Sequence, residues 1–307
     1  MSFLKIEAHM LQEWQSWPLE KKIAKSKQTI RDWYEHNNGM VYVAFSGGKD
    51  STVLLHMVRS MYPEVPAVFS NTGLEFPELV AFARSTENVE EIRPKVTFME
   101  IIEKHGYPLI SKLQAEYIER FKVTKSDKVK ERLLGKDFIG RDGRIQKARF
   151  AISAKWHKLI DAPFGVTSKC CKALKKDPMK AYNKRSKRSG YVGTMASESE
   201  MRRRSYLKTG CINYGQKLAM PLSHWYDTDI WDYIAIFNVP YCDVIYKEYE
   251  RTGCVFCAYG AHMDKGEGRF EKLKRTHPKL HRVCMDKLGF KAPLEFIGVK
   301  TGLEEDL

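Results

Sequence analysis

The sequence predicts an α/β fold, a parallel sheet with helices on both faces, and three observations carry that reading. Val41–Phe45 is a run of β-branched, aromatic and small apolar residues that reads as a buried strand, and Ser46, Gly47 and Gly48 follow it as a tight loop. From Asp50 the apolar spacing of Val53, Leu54, Met57 and Val58 is helical. Strand and helix then alternate: residues 66–69 read as a second strand, residues 74–90 as a helix and residues 96–100 as a third strand. In such a sheet ligands sit at the carboxyl ends of the strands, where residues 46–51 and 71–73 fall.

The remaining elements follow in order. Before the first strand, Leu4, Ile6, Met10, Leu11 and Trp14 recur at helical spacing. Pro18 interrupts, and residues 23–33 continue to a polar stop at His36-Asn37-Asn38-Gly39. Residues 1–38 are therefore expected to form an N-terminal helical arm packed on a core of residues 39–240. That core carries a basic insertion at about residues 112–188, and residues 241–307 form a C-terminal region rich in Cys, aromatic and basic residues. Within the insertion, residues 112–149 are heavily charged, with Gly135, Gly140 and Gly143 as breakers, and are expected to form a helical hairpin and a loop. Residues 169–188 hold nine Lys or Arg and one acid, Asp177. Residues 190–194 and 218–222 return to strand character, and residues 229–237 to helix. There are no internal repeats.

A chain of 307 residues can bury a sizeable core. Its 43% apolar and 29% charged content is that of a soluble globular protein. No signal pattern and no run of about 18 apolar residues is present, so a cytoplasmic protein with no membrane partner is expected. In that compartment the seven cysteines are expected as thiols, catalytic groups or metal ligands rather than disulfides. The net charge of +14 favours polyanions, either nucleic acid or phosphorylated nucleotides; a solvated surface tuned for solubility is the alternative that charge alone leaves open.

A strand that turns through glycines into a helix leaves unpaired backbone N–H groups at the positive end of the helix dipole, which is an anion site. Gly47 and Gly48 let the backbone approach a phosphate, Lys49 adds a point charge, and the Ser46 and Ser51 hydroxyls can donate further bonds. The spacing excludes a Walker loop, which needs four residues between its first glycine and the Gly-Lys pair. SGGKDS, residues 46–51, instead resembles the PP-loop of the ATP pyrophosphatases, which grips the pyrophosphate of ATP and exposes the α-phosphate to attack.

Further motifs in order make the chain resemble the phosphoadenosine phosphosulfate (PAPS) reductase family of the PP-loop, adenine nucleotide alpha hydrolase-like superfamily, over residues 40–259. NTGLEFPE at 71–78 is similar to its Asp-Thr-Gly … Phe-Pro-Glu segment, and GTMASESEMR at 193–202 to its Gly-x-Arg-x-x-Glu-Ser-x-x-Arg segment. MPLSHWYDTDIWDYI at 220–234, then Asn238-Val239-Pro240-Tyr241 and TGCVFC, complete the set. The resemblance implies a Rossmann-like PP-loop fold that binds ATP with Mg²⁺. Its nucleotide-binding residues would be Ser46, Gly47, Gly48, Lys49, Asp50, Ser51, Asn71, Thr72, Gly73, Gly193, Glu198 and Arg202. Of these, Lys49, Asp50 and Ser51 would be catalytic, with Asp50 orienting Mg²⁺ or simply stabilised by the helix dipole. Two positions depart from the pattern. Asn71 stands where the family has Asp, and Met195 where it has Arg; Arg202, Arg203 and Arg204 are the cations that could compensate.

Cys170-Cys171 and Cys254-x-x-Cys257 are the other chemical signal, with 82 residues between the halves. Cys-x-x-Cys is a two-ligand clip for soft metals. Adjacent cysteines suit a single tetrahedral zinc poorly and suit a cluster with separated iron corners, although a zinc clip or bare thiols stay open. The pattern is similar to the iron–sulfur branch of the family and implies a [4Fe–4S] cluster. Cys211, Cys242 and Cys284 have no such partners and read as buried small hydrophobes.

The sulfonucleotide reductases of the family lack the loop lysine and attack sulfur with a cysteine in a C-terminal Glu-Cys-Gly-Leu-His segment. This chain keeps Lys49 and has no such segment. An intact SGGKDS, four cluster-type cysteines and a basic surface resemble the ATP pyrophosphatase of DNA phosphorothioation systems and cluster-bearing tRNA thiolation enzymes. That implies adenylation of an acceptor oxygen, displacement of AMP by sulfur, nucleic acid as acceptor and a sulfur-donor protein such as a cysteine desulfurase as partner. Lys172, Lys175, Lys176, Arg203 and Arg204 are the expected nucleic-acid contacts. The alternative is a reductase of adenylyl sulfate or PAPS using an unrecognised thiol, for which Cys284 is the nearest candidate.

Overall fold

The computed structural model describes residues 6–140 and 142–303. Leu4, the first position of the expected helical pattern, lies outside the described residues. The chain divides into two units. The first takes the chain up to Asn71, Glu75–Pro94 and Asp177–Thr252; the second takes Thr72–Leu74, Lys95–Lys176 and the chain from Gly253.

The first unit opens with α1 (Ala8–Ser16) and α2 (Leu19–His36). They are split at Pro18, whose ring fixes φ and whose missing N–H cannot extend a helix, while Trp17 before it is extended. There follow β1 (Val41–Phe45), α3 (Lys49–Arg59), β2 (Ala67–Ser70), α4 (Pro77–Ser85) and β3 (Val89–Ile92). The chain then enters the second unit as α5 (Phe98–His105), β4 (Leu109–Ile110), α6 (Lys112–Val123), α7 (Asp127–Leu133), β5 (Phe138–Ile139) and β6 (Ile145–Gln146). It returns to the first unit as α8 (Asp177–Ser186), β7 (Ser189–Val192), α9 (Glu200–Thr209), β8 (Ile212–Asn213), β9 (Leu218–Ala219), α10 (Asp227–Phe237) and α11 (Asp243–Tyr246). The second unit is completed by β10 (Ala258–Tyr259), α12 (Arg269–Thr276), α13 (Pro278–Arg282) and α14 (Lys291–Phe296).

The first unit is the expected mostly parallel sheet flanked by helices, with strand order β3-β2-β1-β7-β9-β8. Every neighbouring pair is parallel except β8 and β9 at one edge. Val41, Val43 and Phe45 of β1, Val53, Leu54, Met57 and Val58 of α3 and Phe69 of β2 share one core. Ile30 and Trp33 of α2, with Trp225, Ile230 and Tyr233 from later in the chain, close it. Since β2 lies on one side of β1 and β7 on the other, the order reverses at β1. In an open α/β sheet that reversal opens a crevice at the carboxyl ends of the two strands.

Two local expectations need correction. The third strand is Val89–Ile92, pairing parallel with β2, and residues 96–100 open α5 instead. Thr97 explains it. Its hydroxyl accepts from the Glu100 N–H at 3.2 Å while the Glu100 carboxylate accepts from the Thr97 N–H at 2.6 Å, a capping box that fixes a helix start. Residues 112–149 give the two expected helices, but the loop beyond them folds into an antiparallel hairpin, β5 with β6.

Candidate functional site

Two constellations form, one in each unit. In the first unit the loop after β1 is shaped by its own side chains. The Ser46 N–H donates to Ser51 Oγ at 3.1 Å, and Ser51 Oγ lies 2.9 Å from the Gly48 carbonyl, to which it donates. Gly47 has φ +74, a left-handed conformation that a side chain disfavours. At Gly48 a Cβ would fall 2.6 Å from Thr252 Oγ1. Gly193, just past β7, packs so closely that a Cβ would stand 2.9 Å from the Asp50 carbonyl oxygen. The expected loop residues and Gly193 are therefore brought together at the head of α3.

Lys49 is only 4% exposed. Its ammonium donates to Asp50 Oδ1 at 2.7 Å and to Asp227 Oδ1. Burial works to lower its pKa, and the hydrogen bonds and charges of Asp227 and Asp50 more than offset that, so the ammonium is held charged. The Lys49 backbone N–H, one of the donors a phosphate would use, is satisfied by Tyr246 Oη at 2.7 Å, and that hydroxyl lies 3.3 Å from Thr252 Oγ1. The Trp231 ring centre stands 5.7 Å from Lys49 Nζ.

Arg202 forms an ion pair with Glu198, one turn back. Burial pushes its pKa down and the nearby Asp50 carboxylate opposes the push, which puts Arg202 within electrostatic reach of the loop. Arg203 and Arg204 are engaged by Glu200, at 3.7 and 2.8 Å. Met195, in place of the family arginine, is buried in the core. Asn71 donates to Glu91 Oε1 at 2.9 Å. Arg84 holds the Glu91 carboxylate at a pKa of about 2 against the effect of burial, helped by Asn71 and Arg93. Thr72 and Gly73 fall in the second unit; Thr72 Oγ1 accepts from the Leu74 N–H at 3.2 Å, and Gly73 has φ +77 with open space where a Cβ would be.

In the second unit Cys170, Cys171, Cys254 and Cys257 line one cavity, partly open to solvent, with Leu74, Phe98, Pro108, Leu174 and Lys175. The Cys170 and Cys171 sulfurs are 3.9 Å apart, and Cys170 Sγ lies 3.7 Å from Tyr259 Oη, which donates to the Thr167 carbonyl at 2.7 Å. The Cys257 N–H donates to the Cys254 carbonyl at 3.0 Å, closing the clip into a turn. Arg269 Nη1 fixes that turn from outside, donating to the carbonyls of Cys257 at 3.0 Å and Tyr259 at 2.9 Å while Asp264 holds its other nitrogens.

After Cys171 the chain makes a π-helical turn, Lys172–Lys176, of the kind found at functional sites. It carries three of the expected basic contacts, Lys172, Lys175 and Lys176, and of these Lys175 lines the cavity itself. The contact from Cys170 draws the Cys171 thiol down to about 6 against burial, helped by Lys112, Lys175 and Lys176, and raises that of Cys170. Among the described residues no disulfide forms, and no three His, Cys, Asp or Glu side chains are grouped tightly enough for one metal ion. Four sulfurs without imidazole or carboxylate, spread around one largely apolar cavity, fit a cluster whose iron corners each take a thiolate. Cys242 and Cys284 are buried, and Cys211 Sγ rests 3.4 Å from Tyr206 Oη.

Sequence reasoning missed four of these side chains. Asp227 sits inside the quoted MPLSHWYDTDIWDYI stretch, so a signal was at hand. Tyr246, Thr252 and Arg269 had none, since Tyr246 meets Lys49 across 197 positions.

Residues 40–140 and 127–259 match the phosphoadenosine phosphosulfate reductase domain family. The chain belongs to this family. It is 24% identical over 279 residues to the uncharacterized protein MJ0973 of Methanocaldococcus jannaschii, covering 88% of this chain and 53% of that one. It is 27% identical to a second, MJ0066, covering 82% of this chain and 42% of that one, so the chain spans about half the length of these two relatives. The adenosine 5'-phosphosulfate reductase of Bacillus cytotoxicus is 22% identical, with 85% of this chain and 93% of that one covered. Two solved structures are also similar. The PAPS reductase of Candida auris, in a phosphate complex, gives a TM-score of 0.42 at 14% identity, covering 82% of this chain and 98% of that one. The U34-tRNA thiolase NcsA of Methanococcus maripaludis with its [4Fe–4S] cluster gives 0.38 at 12% identity, covering 91% and 80%. Among the described residues no helix is long and apolar enough to cross a membrane.

Proposed function

We propose that this PAPS reductase family member is an ATP pyrophosphatase that adenylates an oxygen of a nucleic-acid acceptor and thereby prepares it for sulfur transfer. The observation that carries the reading is the complete loop, with a buried, charged Lys49 at the head of α3 beside Ser46, Ser51 and the backbone amides. The acceptor oxygen attacks the α-phosphorus of ATP, the bond to the β-phosphate oxygen breaks, and pyrophosphate leaves. Lys49 and the loop amides stabilise the charge that grows on the leaving group. Asp50 and Asp227, which meet at the Lys49 ammonium, supply hard oxygens for a Mg²⁺ carried by the phosphates. A sulfur nucleophile from a donor protein then displaces AMP. Cys170, Cys171, Cys254 and Cys257 would hold a [4Fe–4S] cluster, one thiolate to each iron, which would supply a redox-active iron–sulfur centre.

The resemblance to adenosine 5'-phosphosulfate reductases supports a second reading, sulfonucleotide reduction. It needs an accessible nucleophilic thiol in the C-terminal region, and Cys284 is fully buried with burial pushing its thiol far up. That observation favours the pyrophosphatase.

The test is pyrophosphate release from ATP and Mg²⁺ by anaerobically purified protein, with and without DNA or RNA. Release stimulated by nucleic acid, and lowered about 10²- to 10³-fold in Lys49→Ala, is the expected result. Sulfite release from a sulfonucleotide with no pyrophosphate from ATP would reverse the order of the two readings.

A further inference from the structure

The basic insertion contains a surface that neither the loop nor the thiol cavity uses. Its base is fixed. Leu133 and Ile152 are buried, the Ile152 N–H donates to the Leu133 carbonyl at 2.7 Å, and Gln114 bridges to Ala151 and Ser153 at 3.0 and 2.7 Å. From this base rises the β5–β6 hairpin, in which Ile139 pairs directly with Ile145. Directly paired residues share one face of a ribbon. The two isoleucines are 72% and 78% exposed, and Phe150 on the return is 69% exposed. On the alternate face Phe138 is sheltered under the Arg132 guanidinium, 3.7 Å from its ring centre.

The cations divide in the same way. Lys136 is engaged by Glu131 at 3.3 Å. Arg144, Lys147 and Arg149 are exposed and form no ion pair with a described residue. A pair of β-branched side chains in water, with unpaired cations close by in sequence, is a poor surface for a folded protein to leave bare. It is also small for a protein–protein interface, which engages about 20–30 residues a side. A bilayer suits it no better, since a ribbon with two paired residues per strand has bare backbone N–H and C=O groups at its edges that lipid cannot satisfy. A hydrated groove can. Ribbons enter nucleic-acid grooves, cations take the phosphates, and isoleucine is among the residues that wedge against base steps.

We propose that the β5–β6 hairpin is a nucleic-acid contact, with Arg144, Lys147 and Arg149 on phosphates and the Ile139–Ile145 pair against sugars and bases. This rests on the proposed function for the presence of a nucleic-acid acceptor, and it adds where the acceptor is held outside the loop.

The experiment uses the whole chain, purified anaerobically, and follows anisotropy of a labelled short DNA duplex, the matching single strand and a stem-loop RNA over a salt series. Arg144→Ala/Lys147→Ala/Arg149→Ala is expected to weaken binding at least tenfold and to flatten the log–log salt slope by about 2 to 3, roughly 0.9 for each phosphate no longer neutralised. Ile139→Ser/Ile145→Ser is expected to weaken binding about tenfold with the slope unchanged, because only apolar burial is removed. Both variants should keep wild-type melting temperature, iron content and ATP binding. A photo-reactive residue placed at Ile145 should cross-link to the bound nucleic acid, a readout that survives if a variant folds poorly. Wild-type affinity in both variants, with no cross-link, overturns the hairpin contact and leaves the acceptor reading standing. A wild-type chain that binds none of the three nucleic acids overturns both. Binding to anionic phospholipid vesicles that is abolished in the variants, with nucleic-acid binding intact, overturns the proposal in favour of a membrane surface.

Discussion

The glycine loop after β1 and the thiol cavity are built in different ways. The loop draws its donors from six consecutive residues, and the strand before it and the helix after it set their directions. Only its partners, Asp227, Tyr246, Thr252 and Gly193, arrive from far along the chain. The cavity takes its four sulfurs from two places 82 residues apart and depends on Arg269 and Tyr259 to orient them. A site made of backbone tolerates change in its surroundings and fails at its one charge or where its glycines are filled. A site made of side chains fails at any ligand. The two should therefore be separable by substitution.

The largest effect expected is at the cavity. Cys254→Ser should strip most of the iron from anaerobically purified protein, by iron and sulfide assay, while ATP affinity stays within about twofold; even losing a residue that only orients a ligand costs metal affinity about 10- to 100-fold, and here a ligand itself is lost. Lys49→Ala is the converse, with iron retained and pyrophosphate release lowered about 10²- to 10³-fold. If either variant loses both properties, the two constellations are not independent. Gly193→Ala comes next. Its Cβ would press on the Asp50 carbonyl, and overpacking of this kind costs about 1–3 kcal/mol, so calorimetry should show ATP affinity lowered with iron content unchanged.

The smallest effect is one of pH, and it belongs to the first unit. Burial drives the pKa of His224 down to about 3, against its hydrogen bond to the Lys22 carbonyl, and Lys25 and Lys22 push the same way as burial. Below about pH 6.5 the unfolded chain takes up a proton that the folded chain refuses until about pH 3. Stability should therefore fall as pH falls through that window, by about 1.4 kcal/mol per unit from this group. Melting curves at pH 7.5 and 5.5 should show the fall, and His224→Gln should reduce it.

Much of this was legible in the residues. Strand, glycine turn and helix are local events, so the loop and the sheet around it could be read from residues 41–58. The four cysteines were legible because few other arrangements suit an adjacent pair and a clip. The error at residues 96–100 arose from weighing Val96 and Phe98 as strand formers over the Thr97 and Glu100 capping pair, which was equally visible. The β5–β6 hairpin was obscured by the charge of the stretch and by Gly135, Gly140 and Gly143, which read as breakers, and its two-residue ladders are shorter than any period can reveal. Tyr246 and Arg269 could not be read, since each acts on backbone groups that only the folded chain brings within reach.

The phenol of Tyr246 on the Lys49 amide has a further consequence. With that donor already occupied, a nucleotide held at the loop as proposed would enter by exchange, and its affinity would measure a phosphate oxygen against a hydroxyl rather than against water. Stray inorganic anions meet the same competitor. Resting enzyme would thus be guarded by a weak incumbent that a triphosphate, holding on at several points, evicts and a lone ion does not.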